Sequence, residues 1–204
     1  MCKYCLLTIA LILSIKLPAQ RKGVFDPVAL WAFSHPFAAA KIKKINKTCQ
    51  AIYNQKEIKT RLDSFSNGGK LDAFRHVFFM AAFHQKVKTK KLRKLGKAHE
   101  NKNYRQFLKG ETNYEHRHDS LSMVMDLHNN EVAFGLKETT NALSLEELKE
   151  KVIQTILSGK ALILKRNRQG QLLKCDARIL SPEELNKGWY IPKCLVNSDQ
   201  VYMD

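Results

Sequence analysis

The chain has 204 residues, 35 Lys and Arg against 19 Asp and Glu, a formal net charge of +16 and 44 % hydrophobic residues. That is enough apolar material for one domain with a real core, and no repeat, low-complexity tract or long linker divides it. The positive balance favours anionic partners such as phosphates, lipid headgroups or acidic glycans, while sparse aromatic interleaving argues against a specific nucleic-acid partner.

Residues 1–19 read as a secretory signal peptide. Met1-Cys2-Lys3 is a basic start, Tyr4 to Ile15 is an apolar run too short for a spanning helix of about 20 residues, and Leu17-Pro18-Ala19 precedes a cut before Gln20. An uncleaved N-terminal anchor is the alternative. Removal takes away Lys3 and Lys16 and no acid, leaving 33 basic and 19 acidic residues, net +14. The expected address is secreted or periplasmic, with no transmembrane segment after signal removal. Residues 20–204 then form a single helical domain around a motif core at 67–136.

Asp26-Pro27 is a helix start, with Asp as cap and Pro at the first position. Pro36 interrupts that apolar segment, and a second helix is predicted from Phe37 to Asn54. Ser66-Asn67-Gly68-Gly69 is a turn that delivers the chain to a helix over Lys70–Lys86. A third motif-bearing stretch spans Thr89 to Phe107, and a polar loop from Lys109 to His118 contains Glu115-His116-Arg117-His118. That loop reads as solvated, with the capacity to supply ligands or a lid. A helix follows over Asp119–Leu136, and Ser144-Leu145-Glu146-Glu147 is a capping box opening another to Leu157. Ala161–Leu164 and Leu172–Cys175 flank a turn at Asn167–Gly170 and are expected to pair as a hairpin. Ser181-Pro182 starts a last short helix, and the tail around Trp189 reads as an irregular strap. The expected class is mostly α, with five or six helices and a small C-terminal β-hairpin. Cys175 and Cys194 bracket a short segment and are the expected disulfide, leaving Cys49 a buried thiol. No Cys/His spacing suggests a structural zinc site.

Helix phase carries the functional reading. At about 100° per residue, Lys70–Lys86 has no wide polar face, so Asp72, Arg75 and His76, at i, i+3 and i+4, must find partners inside. The bland reading is an Asp72–Arg75 pair plus a core histidine. In Asp119–Leu136, Asp126, Asn129 and Asn130 form a polar stripe bordered on both sides by apolar residues. Such a stripe faces the interior, as a site or as an internal hydrogen-bond network. In Thr89–Phe107, Leu92, Leu95, Gly96, His99 and Asn103 share a side, with Glu100 at its edge; Gly96 is expected to let another backbone approach. A half-exposed helix end is the bland reading of His99-Glu100. The lysine-rich run from Lys86 to Lys102 reads as a solvated face or an anion-binding one.

Asp72-Ala73-Phe74-Arg75-His76, His99-Glu100 and Met125-Asp126-Leu127-His128-Asn129-Asn130 resemble the motifs of a bacterial family of unknown function with the pattern D-A-F-R-H-A-x-W, H-E and M-D-L-x-N-N. The resemblance covers Asn67 to Leu136. Val77 and Phe79 replace the usual small residue and tryptophan. It implies a helical domain of exported or cell-surface proteins, sometimes at the ends of toxin-like chains, with no settled activity. A looser likeness is to all-helical metal-dependent phosphohydrolases, whose His, His-Asp and Asp order is echoed by His76, His99-Glu100 and Asp126, with Glu in place of Asp.

Two functions compete. In a hydrolase acting on an anionic envelope substrate, His76, His99 and Asp126 would hold one divalent ion, zinc as the first choice. Glu100 would be general base, Arg75 would grip a phosphate or carboxylate, Asp72 would orient Arg75 or His76, and Asn129 and Asn130 would hydrogen-bond substrate or ligands. A metal-free version has His76 and His99 as acid and base. In a non-catalytic exported module, the polar set is structural and the basic face binds an anionic envelope component.

Overall fold

The computed structural model describes residues 25–110, 118–200 and 202. The expected signal peptide lies outside them, as do residues 111–117 of the polar loop. Asp26 caps α1 (Pro27–Ser34), its Oδ1 accepting from the Val28 and Ala29 N–H groups at 2.8 and 3.3 Å, and Pro36 opens α2 (Pro36–Tyr53). After α3 (Lys56–Arg61) come the three motif helices: α4 (Lys70–His84), α5 (Thr89–Leu108) and α6 (Ser120–Gly135). The remaining elements are α7 (Lys137–Thr140), α8 (Leu145–Leu157), β1 (Leu162–Leu164), α9 (Pro182–Leu185) and β2 (Leu195–Asn197). The class is mostly α with a small antiparallel two-stranded sheet near the C-terminus. Among the described residues six helices have eight residues or more; α3, α7 and α9 have four to six.

α4 is the hub. It packs against α2, α5, α6 and α8, so nearly all its residues are buried, as a helix without a polar face requires. Phe74 and Phe78 stack at 5.1 Å, and Phe79 meets Phe78 and Phe83 edge-on. α6 lies along α4 and turns Ser122, Met125, Asp126, Asn129, Asn130 and Ala133 toward it. The stripe between the two apolar ones is the buried one.

The sheet pairs differently from the expected hairpin. β1 runs antiparallel to β2, with Ile163 opposite Val196. Leu172 makes only an isolated bridge to Arg166, across the Asn167–Gly170 turn. The strand nearer in sequence is displaced because the chain around Cys175 turns back on itself, Leu173 bridging Ile179, and leaves the ladder to the distant strand. Cys175 and Cys194 are disulfide-bonded and Cys49 is buried and outside any disulfide. The strap carries Trp189 against Tyr104 and Phe107, and the Trp189 carbonyl accepts from Ser120 N–H at 2.9 Å, fixing the start of α6.

Gly68 ties α4 to the sheet. Its φ is +76°, and a Cβ there would lie 2.4 Å from Leu164 Cδ1. Its N–H donates to Asp72 Oδ2 at 2.6 Å while its carbonyl accepts from Leu164 N–H at 2.8 Å. One glycine thus positions a site carboxylate and the first strand.

Candidate functional site

The first turns of α4 hold three polar side chains over one buried spot. Asp72, 1 % exposed, accepts from Gly68 on Oδ2 and from Arg75 Nη2 on Oδ1 at 2.5 Å. His76 Nε2 lies 3.7 Å from Asp72 Oδ1 and 3.3 Å from Asp126 Oδ1. Its Nδ1 is 3.3 Å from Asn130 Oδ1, and its Nε2 is 3.5 Å from Arg75 Nη2. An amide oxygen only accepts and a guanidinium only donates. The proton therefore belongs on Nδ1, and Nε2 presents a lone pair to the two carboxylates.

Asp126 is fully enclosed by α4, α5 and α6, and no donor is aligned on either of its oxygens. Across from His76 stand Glu100 and His118. His118 Nδ1 lies 3.9 Å from Asp126 Oδ2. Asn103 Nδ2 donates to Glu100 Oε2 at 3.3 Å and lies 3.5 Å from His118 Nδ1, while Glu100 Oε1 has no partner. Two triads therefore share Asp126: Asp72–His76–Asp126 and Glu100–His118–Asp126, each with its candidate ligand atoms within 4.8 Å of one another. A lone-pair nitrogen and converging carboxylate oxygens are the donor set of a divalent cation. Asn130, fixing the far nitrogen of His76, completes the arrangement usual behind a ligating histidine.

Electrostatics follow from the crowding. Burial, then the charge of Asp126, pushes the Glu100 carboxyl up to about 8. Burial and the Asp72 charge raise Asp126 well above the ordinary carboxylate range. Burial also lowers His76 and His118, so both imidazoles are neutral near pH 7.

Not every candidate stands where phase put it. The buried side of α5 runs Leu92, Gly96, Glu100, Asn103, one position round from the expected stripe. Glu100 is inside and His99 is exposed, in neither triad. The reason is that α5 meets α6 through Gly96 and Glu100. A Cβ on Gly96 would lie 2.9 Å from Asn130 Nδ2, so what approaches this glycine is a side chain and not a backbone. Asn129 serves β1: its amide donates to the Leu162 carbonyl and accepts from the Leu162 N–H, both at 2.9 Å. His118, from the end of the polar loop, joins the cluster beside Glu100 and Asp126. Its signals in the sequence are the His-rich loop it ends, which could supply ligands, and its place beside Asp119, which caps α6 through Ser122 N–H at 2.8 Å and pairs with buried Lys193 at 2.8 Å.

One wall of the cluster opens on a cavity of about 530 Å³ between α1, α2, α4, α5 and α6. Arg75, His76, His99 and Asn130 reach it; Trp31, Ile42, Phe79, Met80, Phe83 and Leu95 supply apolar lining. Desolvation of the ring first, and then the nearby Arg75 and Lys102 charges, lower the His99 imidazole to about 4, so it too is neutral near pH 7. In the lysine-rich run, Lys86, Lys88, Lys90, Lys91, Lys94 and Lys97 are exposed, Arg93 pairs with Glu131 at 2.7 Å, and Lys102 with Asp26 at 2.6 Å.

A family model for a domain of unknown function, DUF6973, matches residues 29–160, more than half of the chain and all of the cluster from Asp72 to Asn130. The chain belongs to the DUF6973 family. The stretch 67–136, where the motif resemblance was drawn, falls wholly inside the DUF6973 match. No curated protein and no solved structure matches the chain. The DUF6973 assignment carries no activity, so the chemistry must be argued from the cluster.

Proposed function

We propose that this protein is an exported hydrolase of an anionic cell-envelope substrate, dependent on one divalent ion, zinc as the first choice, held by His76 Nε2 and Asp126. The observation that carries the reading is Asp126. Two carboxylate oxygens enclosed without a donor cost about 1–3 kcal/mol each, more if charged. A cation between them and the His76 lone pair removes that cost and would supply a polarised water. Asp72 or His118 would complete the set, in place of His99, which stands apart.

The chain's own groups have separable roles in this reading. Asp72 holds Arg75 and faces His76; Asn130 fixes the His76 tautomer. Arg75, backed by His99, offers donors to an anionic group entering from the cavity. Glu100, whose Oε1 has no protein donor, would take the general-base role expected from the sequence and accept a proton from the attacking water. Asn129 binds β1 and takes no part.

The test is turnover by the full chain, with zinc or manganese, against chromogenic phosphomonoesters, phosphodiesters and carboxylic esters. Activity on one class, reduced about 100-fold or more in folded Asp126→Asn and His76→Ala variants, is the expected result. No turnover of any class, or turnover indifferent to both variants, contradicts it. Asn129 favours the second reading, a non-catalytic exported module: part of the same polar stripe already serves backbone alone. In that case the remaining polar groups do likewise, and the exposed lysines bind an anionic envelope component.

A further inference from the structure

The lining of the cavity changes character along α4. It runs from Arg75 and His76 through Phe79 and Met80 to Phe83, about 12 Å at 1.5 Å per residue. On α4 the lining beyond His76 is apolar, while α2 sets the polar Lys43, Asn46 and Gln50 beside the apolar Ala39 and Ile42. α5 repeats the order, with His99 at one end of its contribution and Leu95 at the other, and Trp31, Ala32, Ala39 and Ile42 close the far side. A compact polar substrate would leave most of this wall against water. An apolar ligand without a polar head would leave the outward N–H donors of Arg75, whose side chain is 37 % exposed, and the His99 ring facing no acceptor at the polar end.

The geometry points to an acyl or alkyl chain: the cavity takes the single chain of an anionic amphiphile whose head lies at Arg75, His76 and His99. This rests on the hydrolase reading for the place of the head and deepens it by naming the substrate class. The whole lining from the Arg75 end to Phe83, about 12 Å, takes a chain of up to roughly ten carbons at ordinary C–C spacing, the first few beside the polar end. The surroundings suit delivery from an anionic lipid surface. Phe33 and Phe37, on the two helices that wall the cavity, are 88 % and 84 % exposed. Lys41, Lys43, Lys44 and Lys47 are exposed on α2, and Lys43 lines the cavity itself. Large apolar side chains interspersed with lysines are the composition of an interfacial helix.

The experiment is calorimetric titration of the full chain with decyl phosphate, butyl phosphate and decyl maltoside, each below its aggregation limit. Trp31, 7 % exposed in the wall, gives a local fluorescence signal in a Trp189→Phe background. Decyl phosphate should bind at one equivalent, at least about 100-fold tighter than butyl phosphate, since each buried methylene adds favourable transfer energy. Decyl maltoside should bind more weakly, and Arg75→Gln should bring decyl phosphate down toward it. Ala39→Phe, or Ile42→Trp should the first not fold, should weaken decyl phosphate about 10-fold or more and leave butyl phosphate unchanged. Equal affinity for the two phosphates, or indifference to both wall variants, overturns the proposal. So does absence of saturable binding by the full chain. Because the assay needs no turnover, chain-dependent binding without hydrolysis would refute only the hydrolase reading, and hydrolysis without chain dependence only this one.

Discussion

Asp126, Glu100 and Asp72 are three buried carboxylates in one small volume, yet only Asp72 has donors on both oxygens. The difference fixes how each should respond to pH and to substitution. Glu100 ionises near 4.5 in an unfolded chain and at about 8 in the folded one. Between those values the unfolded chain releases its proton first, so this group's contribution to stability is intact below about pH 4.5 and declines as pH rises through about 8. Urea unfolding from about pH 5 to 9 should therefore show Glu100→Gln more stable than the wild type at the alkaline end, on the order of a few kcal/mol, with no gain at pH 5. Equal slopes for the two proteins would mean that Glu100 is solvated. Phase alone made the inward direction of Asp72, His76, Asp126 and Asn130 legible, because helices with apolar residues on all or both sides leave polar groups nowhere else to go. It failed for His99 and Glu100, adjacent on a helix whose outer face is so lysine-rich that a rotation of one residue leaves the pattern nearly unchanged. His118 was legible only as one of several loop residues with the capacity to supply a ligand, because loop residues have no phase to single one out.

Two element-scale devices hold the cluster, and each predicts a loss of stability with a distinct signature. Gly68 sits at φ +76° against Leu164. Gly68→Ala should destabilise by about 1–3 kcal/mol from conformational strain and the clash, and should loosen Asp72. Differential scanning calorimetry with hydrogen exchange at the start of α4 checks this; an unchanged melting temperature contradicts it. Asn129→Ala removes both partners of the Leu162 backbone and should cost on the order of 2–4 kcal/mol, while leaving metal binding and any turnover per folded molecule intact. Loss of turnover in stable Asn129→Ala protein would return Asn129 to the site. The long helices and caps were readable from Asp26-Pro27, Ser144-x-x-Glu147 and Ser181-x-x-Glu184, where local chemistry decides. The partner of β1 was not, because strand pairing over some thirty residues depends on how the intervening chain folds, which no local pattern records.

At the scale of the whole molecule, the C-terminal strap is a clamp on the site. The disulfide between Cys175 and Cys194 lies next to Lys193, whose ammonium meets Asp119 at the cap of α6, and Trp189 packs on α5. Reduction should cost about 3 kcal/mol, as for closure of a loop of this length, and should expose the α6 start to exchange before the α4 core. Uniform loss of protection would contradict the clamp. The disulfide suits the export proposed above, and if the protein is exported with a leader cut before Gln20, N-terminal sequencing from the native host should begin at or near Gln20; full-length protein in the cytosol would refute export. All of these bear on the setting of one claim, that His76 and Asp126 converge to hold a cation. Titration of metal-stripped protein with zinc, followed by calorimetry and elemental analysis, tests it most directly. The wild type should bind one equivalent, and an Asp126→Asn variant that melts at the same temperature or higher should bind none. Wild-type protein that binds no zinc or manganese, or an Asp126→Asn variant that binds as much, would contradict it.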